Sequence, residues 1–375
     1  MKGLFLVYHG LSAYSGISKK IRAQQQALHH CGAEVGLCHI EIDDDGTQRR
    51  MVDQLTIRNF GKGLSAKLLK RLSFSDVVDY IRREGIEFVY IRHDFNASPV
   101  TIHLLRRIKG LGVRVALEIP TYPYDAEFMQ ASLIERLHHG IDHLCRCRMA
   151  RYVDRIVTFS DDLEIFGRPT IRISNGIDFN RVPLKTEVHD TTHELRLLAL
   201  ANIHVWHGFD RVIEGLRRYY AEPHSRTVRL RIVGDGIPSL LDDYRRCIAE
   251  YGLGAYVELT GIRSGAALDA EFAWCDLGIA SLGRHRNGIS SIKTLKNREY
   301  AARGVPFVYA EQDSDFDKMP YVLKAPADDS PLDIAALALF YDAQRLSPAA
   351  IRATIEGSLS WNHQMKQVLT QLFAQ

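Results

Sequence analysis

The chain has 375 residues, 46% of them hydrophobic and 25% charged, with a net charge of +3. That length suits two domains that each bury a core, and the composition is that of a soluble globular protein. No apolar run approaches the ~20 residues of a membrane span, and so small a charge argues against a nucleic-acid partner.

The opening MKGLFLVYHG holds too short an apolar run for a signal-peptide core. It reads as a first buried strand, Leu4–Tyr8, and points to a cytoplasmic protein. The turn HGLSAYSGIS follows, leading into a helix from Ile17 to Gly32. Gly10, Ser15 and Gly16 in this turn are candidates to present backbone N–H groups to a phosphate or sugar oxygen. The turn has neither the P-loop spacing nor GxGxxG. Further apolar, β-rich runs are Val35–Ile40, Phe88–Arg92, Val113–Leu117 and Arg155–Phe159. From Gln54 to Ser75 the chain carries Arg58, Lys62, Lys67, Lys70 and Arg71 and no acid. It reads as a basic loop and helix, open either to an anionic membrane surface or phosphate-bearing substrate, or simply to solvent.

His93-Asp94 follows one strand, and Glu118 ends the next, ahead of Ile119-Pro120-Thr121-Tyr122-Pro123. A carboxylate at a strand end is a candidate general base on an acceptor hydroxyl, and His93 a second candidate. The cluster His138, His139, His143, Cys145 and Cys147 lacks zinc-ligand spacing, so no metal is expected and the six cysteines are expected to be free thiols.

A polar interval without periodicity, Arg181–Glu194, separates the halves. Beyond it lie Leu195–Leu200, Val228–Val233, Tyr256–Thr260, Leu277–Ala280 and Val305–Tyr309. Their continuous hydrophobicity predicts parallel strands covered on both faces, hence an α/β chain of two doubly wound domains whose ligands bind at the C-terminal strand ends. Residues 1–180 carry 25 Lys+Arg against 21 Asp+Glu (+4), and residues 181–375 carry 23 against 24 (−1).

The ordered set ISNGID (173–178), ANIHVWHGFD (201–210), IVGDG (232–236), LTGI (259–262) and REYAARGVPF (298–307) resembles the "group 1" GT-B glycosyltransferases, and within them the bacterial surface-polysaccharide branch. The resemblance implies a GT-B fold: two Rossmann-like domains facing a central cleft, an acceptor domain over 1–180, a donor domain over 195–357, and a final helix within 358–375 returning to the first domain. It implies a nucleoside diphosphate sugar as donor substrate, no cofactor or metal, retention of anomeric configuration, and an acceptor hydroxyl on a bacterial surface glycan or lipid-linked precursor. It places the enzyme in the cytoplasm or on the inner face of the cell membrane.

Glu299 matches the last Glu of the family's E-x7-E element, whose carboxylate accepts both ribose hydroxyls. The first Glu falls on Ser291, and the family's diphosphate-binding Arg and Lys fall on Asn202 and His207. Lys293, Lys296, Arg284 and Arg286 are left to meet the phosphate charge. Gly234, Gly261, Ile262 and Arg263 complete the implied donor site by their place after two strands. A non-catalytic GT-B subunit scaffolding a partner transferase and a non-hydrolysing nucleotide-sugar epimerase remain as alternatives.

Overall fold

The computed structural model describes residues 1–12, 15–125 and 132–374. Two compact units emerge, Met1–Ser174 together with Trp361–Gln375, and Asn175–Ser360. In the first unit β1 (Lys2–Leu6), β2 (Glu34–Ile42), β3 (Gln48–Val52), β4 (Leu55–Gly61), β5 (Phe88–Arg92), β6 (Arg114–Ile119), β7 (Arg155–Thr158), β8 (Glu164–Ile165) and β9 (Arg168–Arg172) form one sheet. Its order is β4-β3-β2-β1-β5-β6-β7-β9-β8. The pairs from β2 through β7 to β9 are parallel. Helices α1 (Gly16–His30), α2 (Gly63–Leu72), α3 (Ser75–Glu84), α4 (Pro99–Gly110) and α5 (Leu133–Ala150) belong to this unit.

The second unit contains β10 (Glu194–Leu200), β11 (Thr227–Val233), β12 (Val257–Gly261), β13 (Leu277–Ile279), β14 (Phe307–Tyr309) and β15 (Val322–Lys324). They pair in the order β12-β11-β10-β13-β14-β15, parallel throughout. Its helices are α6 (Phe209–Ala221), α7 (Pro238–Glu250), α8 (Ala266–Trp274), α9 (Leu295–Arg303), α10 (Ile334–Ala343) and α11 (Pro348–Glu356). The closing helix α12 (Trp361–Phe373) packs in the first unit, where Trp361, Met365 and Val368 share a core with Phe5, Val35 and Phe88.

Burial on both faces explains why the strands read as unbroken apolar runs. Leu4 and Leu6 of β1 enter one core with Val89 and Val115, while Phe5 and Val7 enter the other with Val35 and Tyr90. Leu197 and Ala199 of β10 likewise point away from Leu198. All ten strands expected from such runs are present.

The region expected as a basic loop and helix is instead strand β4 followed by α2. With β3 it extends the parallel sheet by two antiparallel strands. The hydrophobic pattern hides β3 because Gln48 and Arg50 occupy inward positions and are 3% and 2% exposed. Arg50 is satisfied there by Asp76 at 2.7 Å and by the carbonyls of Lys70 and Ser73 at 2.7 and 2.9 Å. One guanidinium thus ties the end of α2 to the first turn of α3.

Glu118 lies within β6, because the strand runs one residue past it. It is fully buried. Its carboxylate accepts hydrogen bonds from Gln24 Nε2 and Tyr90 Oη, both at 2.6 Å, and from Arg92, with Lys20 Nζ 3.5 Å away. Burial alone would raise its pKa, but Lys20 and Arg92 outweigh it and hold the group at about 2. The carboxylate expected as a general base at a strand end is thus enclosed in the sheet with its oxygens engaged by these partners. His93 is also interior, 2% exposed, with Nε2 3.2 Å from Asp142.

Glu118→Gln should cost ~3–5 kcal/mol in chemical denaturation, since it strands two buried cations. The depressed pKa makes Glu118's contribution complete above the ordinary value of 4.5 and lost as the pH falls toward about 2. Wild-type stability should decline through that acid window with a steeper slope than the variant's.

Candidate functional site

In the second unit strand order reverses at β10, which has β11 on one side and β13 on the other. Open parallel sheets bind ligands at such a switch point, beyond the C-terminal strand ends. The loop after β10 and the loop after β13 meet there. Leu282 N–H donates to His207 O at 2.9 Å and Gly283 N–H to Trp206 O at 3.2 Å. Gly208, with φ +64°, allows this contact, because a Cβ would lie 2.9 Å from Gly283 N. Arg211 of α6 clamps the same loop by donating to Leu282 O.

His207 is 6% exposed and its Nδ1 accepts the His204 N–H at 3.0 Å, so the ring proton sits on Nε2 as a donor. Burial, with Lys296 and Arg284 close by, holds its pKa far below the ordinary imidazole range. The ring is neutral at physiological pH. His204 stacks on Trp206 with ring centroids 4.1 Å apart, and Arg284 lies 5.7 Å over the Trp206 ring.

Lys296, in the first turn of α9, brings the ammonium. Its Nζ is buried and makes no hydrogen bond among the described residues. Both carboxylate oxygens of Glu311, in the loop after β14, and Ser281 Oγ are in the same condition. Burial, then repulsion from Arg284, lowers the Lys296 pKa, and burial raises that of Glu311. Buried polar groups are ordinarily paired. An ammonium, a carboxyl and a hydroxyl thus stand buried without hydrogen bonds among the described residues, on α9 and in the loops beyond β13 and β14.

The remaining candidates are less concentrated. Lys293 is ion-paired with Asp315 at 3.8 Å. Arg286 is committed to Asp210 through two bonds of 2.9 and 2.7 Å and to Asp329 at 2.7 Å, which removes it from the expected phosphate set. Glu299 sits on α9 with Oε1 3.3 Å from Arg303, not beside Lys296. Ser291 is exposed and Ile292 N–H donates to Gln312 O at 3.0 Å, while Asn202 is exposed beyond β10. Asp313 and Asp315 hold the buried Arg298.

Gly234 was expected to let backbone approach a ligand; the close approach is to the chain itself. At φ +131° a Cβ there would lie 1.7 Å from Ala201 O, so the glycine seats the β11 loop on the β10 loop. Gly261 O accepts from Gly234 N–H at 2.9 Å, joining a third strand end. Ile262 beyond it is 69% exposed, and Arg263 pairs with Glu271 at 3.5 Å. A separate cavity of about 310 Å³, lined by Glu194, Arg229 and Trp274, lies toward the opposite strand ends, where such sheets do not place ligands.

The first unit has its own reversal at β1, flanked by β2 and β5. A cavity of about 720 Å³ opens at these strand ends, lined by Gly10, Ile40, Phe74, Asp94, Phe95 and Val100 among others. Phe95 holds φ +49°, a strained conformation for a side chain that size. No sequence signal marks that strain. Ser15 caps α1 by accepting the Ser18 N–H at 3.4 Å, and Gly16 opens the helix. Ala13 and Tyr14 of the same turn lie outside the described residues. The described cysteines are all free. Asp125, His139 and His143 converge within 4.8 Å, but Arg146 occupies both Asp125 oxygens at 2.6 and 2.9 Å.

Compared as a sequence, the chain matches no protein-family model and no curated protein. Compared as a structure, it resembles sucrose-phosphate synthase from Thermosynechococcus elongatus, with TM-score 0.69 and 14% identity over 99% of this chain and 98% of that one. HepE from Anabaena, in complex with UDP-glucose, gives TM-score 0.62 and 16% identity over 99% and 100%. WaaG, a glycosyltransferase involved in lipopolysaccharide biosynthesis, gives 0.58 and 13% over 100% of both. At these identities the likeness speaks for architecture: two parallel-sheet units and the element order above are those of the GT-B fold.

Proposed function

We propose that the chain transfers a sugar from a nucleoside diphosphate sugar to a hydroxyl of a bacterial surface glycan or its lipid-linked precursor. The observation that carries this reading is the buried, unpaired Lys296 beside neutral His207 and Arg284 at the switch point of the second unit. A diphosphate brings what these groups lack: an anion that accepts from Lys296 Nζ and His207 Nε2–H in a dry site. Structures of similar fold include one holding UDP-glucose and one involved in lipopolysaccharide biosynthesis.

In this reading Lys296 and Arg284 stand in for the cations that the resembled family carries where Asn202 and His207 occur here, and they neutralise the diphosphate without a metal ion. Asn202 and Lys293 lie in the neighbouring loops. Glu299 takes the ribose hydroxyls after releasing Arg303, which keeps Asp269 at 2.8 Å as a partner. With Glu118 committed to its ion pairs, no carboxylate is assigned as general base, and the family's retention of configuration is the course proposed. The protein would work on the cytoplasmic side of the cell membrane.

A calorimetric panel of UDP-, GDP- and ADP-sugars tests the reading; failure of every member to bind overturns it. For the sugar that binds, Lys296→Met should weaken affinity by ~10–100-fold, the loss of a charge-assisted bond to phosphate. The pKa directions add a sign. Rising pH removes the lowered Lys296 proton and the raised Glu311 proton, making the site more negative, so affinity should fall with pH and binding should take up a proton. The variant should lose the Lys296 share of both effects and keep that of Glu311.

Glu299→Gln should reduce donor affinity at least about tenfold. The melting temperature without ligand should stay nearly unchanged, because the partly exposed Glu299–Arg303 pair contributes under ~1 kcal/mol. Unaltered affinity would remove Glu299 from the site.

A further inference from the structure

The loop after β14 is pinned on both sides of Glu311. Ala310 N–H donates to Ser281 O at 3.0 Å and Gln312 N–H to Ser290 O at 2.8 Å, while Lys324 Nζ donates to Glu311 O. Ser281 and Ser290 bracket the loop after β13, so Glu311 is held against that loop at the C-terminal strand ends. The residue is 2% exposed. Both oxygens of its carboxyl are without a hydrogen bond among the described residues, and it enters no ion pair there. Ser281 Oγ, on a fully buried residue, is in the same condition.

The charged groups around the carboxyl are near without pairing with it. Arg284 and Lys296 act on Glu311 by their charge, and the same two act on His207, so carboxyl and imidazole border one pair of cations. The backbone N–H of Glu311 also favours its ionised form, while burial and Asp313 oppose it. Asp313 itself is spent on Arg298. Buried carboxyls ordinarily have donors, and here a ligand is left to supply them.

Chemistry narrows that ligand. A phosphate at neutral pH offers mainly acceptors and would repel the carboxylate. A hydroxyl donates, and a carboxylate accepts it in a charge-assisted bond. A phosphate for Lys296, Arg284 and His207 together with a hydroxyl for Glu311 is what a glycosyl phosphate presents. In a nucleoside diphosphate sugar, hydroxyls flank the diphosphate on the ribose and on the transferred sugar. Glu299 takes the ribose in the proposed donor complex, which leaves Glu311 to the sugar. A site built to bond a hydroxyl rejects analogues that lack it far more strongly than an apolar pocket rejects a missing methylene.

We propose that Glu311, with Ser281 on the neighbouring loop, reads a hydroxyl of the transferred sugar and so sets which sugar the second unit accepts. The inference rests on the donor-binding function proposed for this unit and adds the residue that selects the donor.

Calorimetry on the full chain tests it with UDP-glucose, UDP-N-acetylglucosamine, GDP-mannose and ADP-glucose, each beside its free nucleoside diphosphate. The quantity read is a ratio, the affinity for the sugar nucleotide over that for the free diphosphate. For the sugar nucleotide that wild type binds best, Glu311→Leu should lower this ratio by ~10–100-fold, the loss of one charge-assisted hydrogen bond. Affinity for the free diphosphate should hold or rise, because a neighbouring negative group is gone, and it reports that the variant is folded. Glu311→Gln keeps an acceptor oxygen in place and should recover part of the ratio. Wild type should also reject at least one analogue of that sugar nucleotide lacking a single sugar hydroxyl, and Glu311→Leu should not. An unchanged ratio in Glu311→Leu overturns the proposal. An equal loss for diphosphate and sugar nucleotide overturns it too, since Glu311 would then serve the base or the scaffold. If wild type binds none of the probes, the donor function itself falls; binding with an unchanged ratio removes only the role of Glu311.

Discussion

The site in the second unit depends on the parallel pairing of β10 with both β11 and β13. Parallel strands return the chain to one edge of the sheet after every crossover. Reversal of order at the first strand then leaves a gap between two outgoing loops, and the loops 201–208 and 280–289 fill it. Lys296, thirteen positions past Gly283, reaches the same place because α9 starts beside these strand ends. No antiparallel arrangement would bring His207, Arg284, Lys296 and Glu311 together.

The two units use buried charge in opposite ways. Glu118 is surrounded by donors, and Lys20 and Arg92 hold its pKa down at about 2, so it is charged at neutral pH. Glu311 and Lys296 are buried without side-chain hydrogen bonds among the described residues, and burial raises the proton affinity of the first and lowers that of the second. The first pattern holds a core together; the second is costly unless something binds.

Much of the fold was legible. A strand buried on both faces advertises itself by consecutive apolar residues, and every such run became a strand. Five strands escaped, β3, β4, β8, β9 and β15, and of these β3 carries Gln48 and Arg50 where a core position would hold an aliphatic residue. The partners of Arg50, Asp76 and the end of α2, are more than ten residues away, so nothing local marks that arginine as interior. Gly208 and Gly234 are visible as glycines, yet only the fold shows that each makes room for another loop's backbone.

For the candidate site, residue types were legible and their states were not. The sequence by itself determined the α/β class, the two halves, the positions of Glu299 and Lys296 on one glycine-ended helix, and the basic run that became α2. Those follow from periodicity and composition, which are local. The tertiary structure alone decided that Glu118 is saturated, that Arg286 and Lys62 are spent in ion pairs, that Lys296 and Glu311 make no side-chain hydrogen bond among the described residues, and that the leucines of α2 face outward. Whether a charge is free depends on which distant groups and how much water surround it, and chain topology sets both.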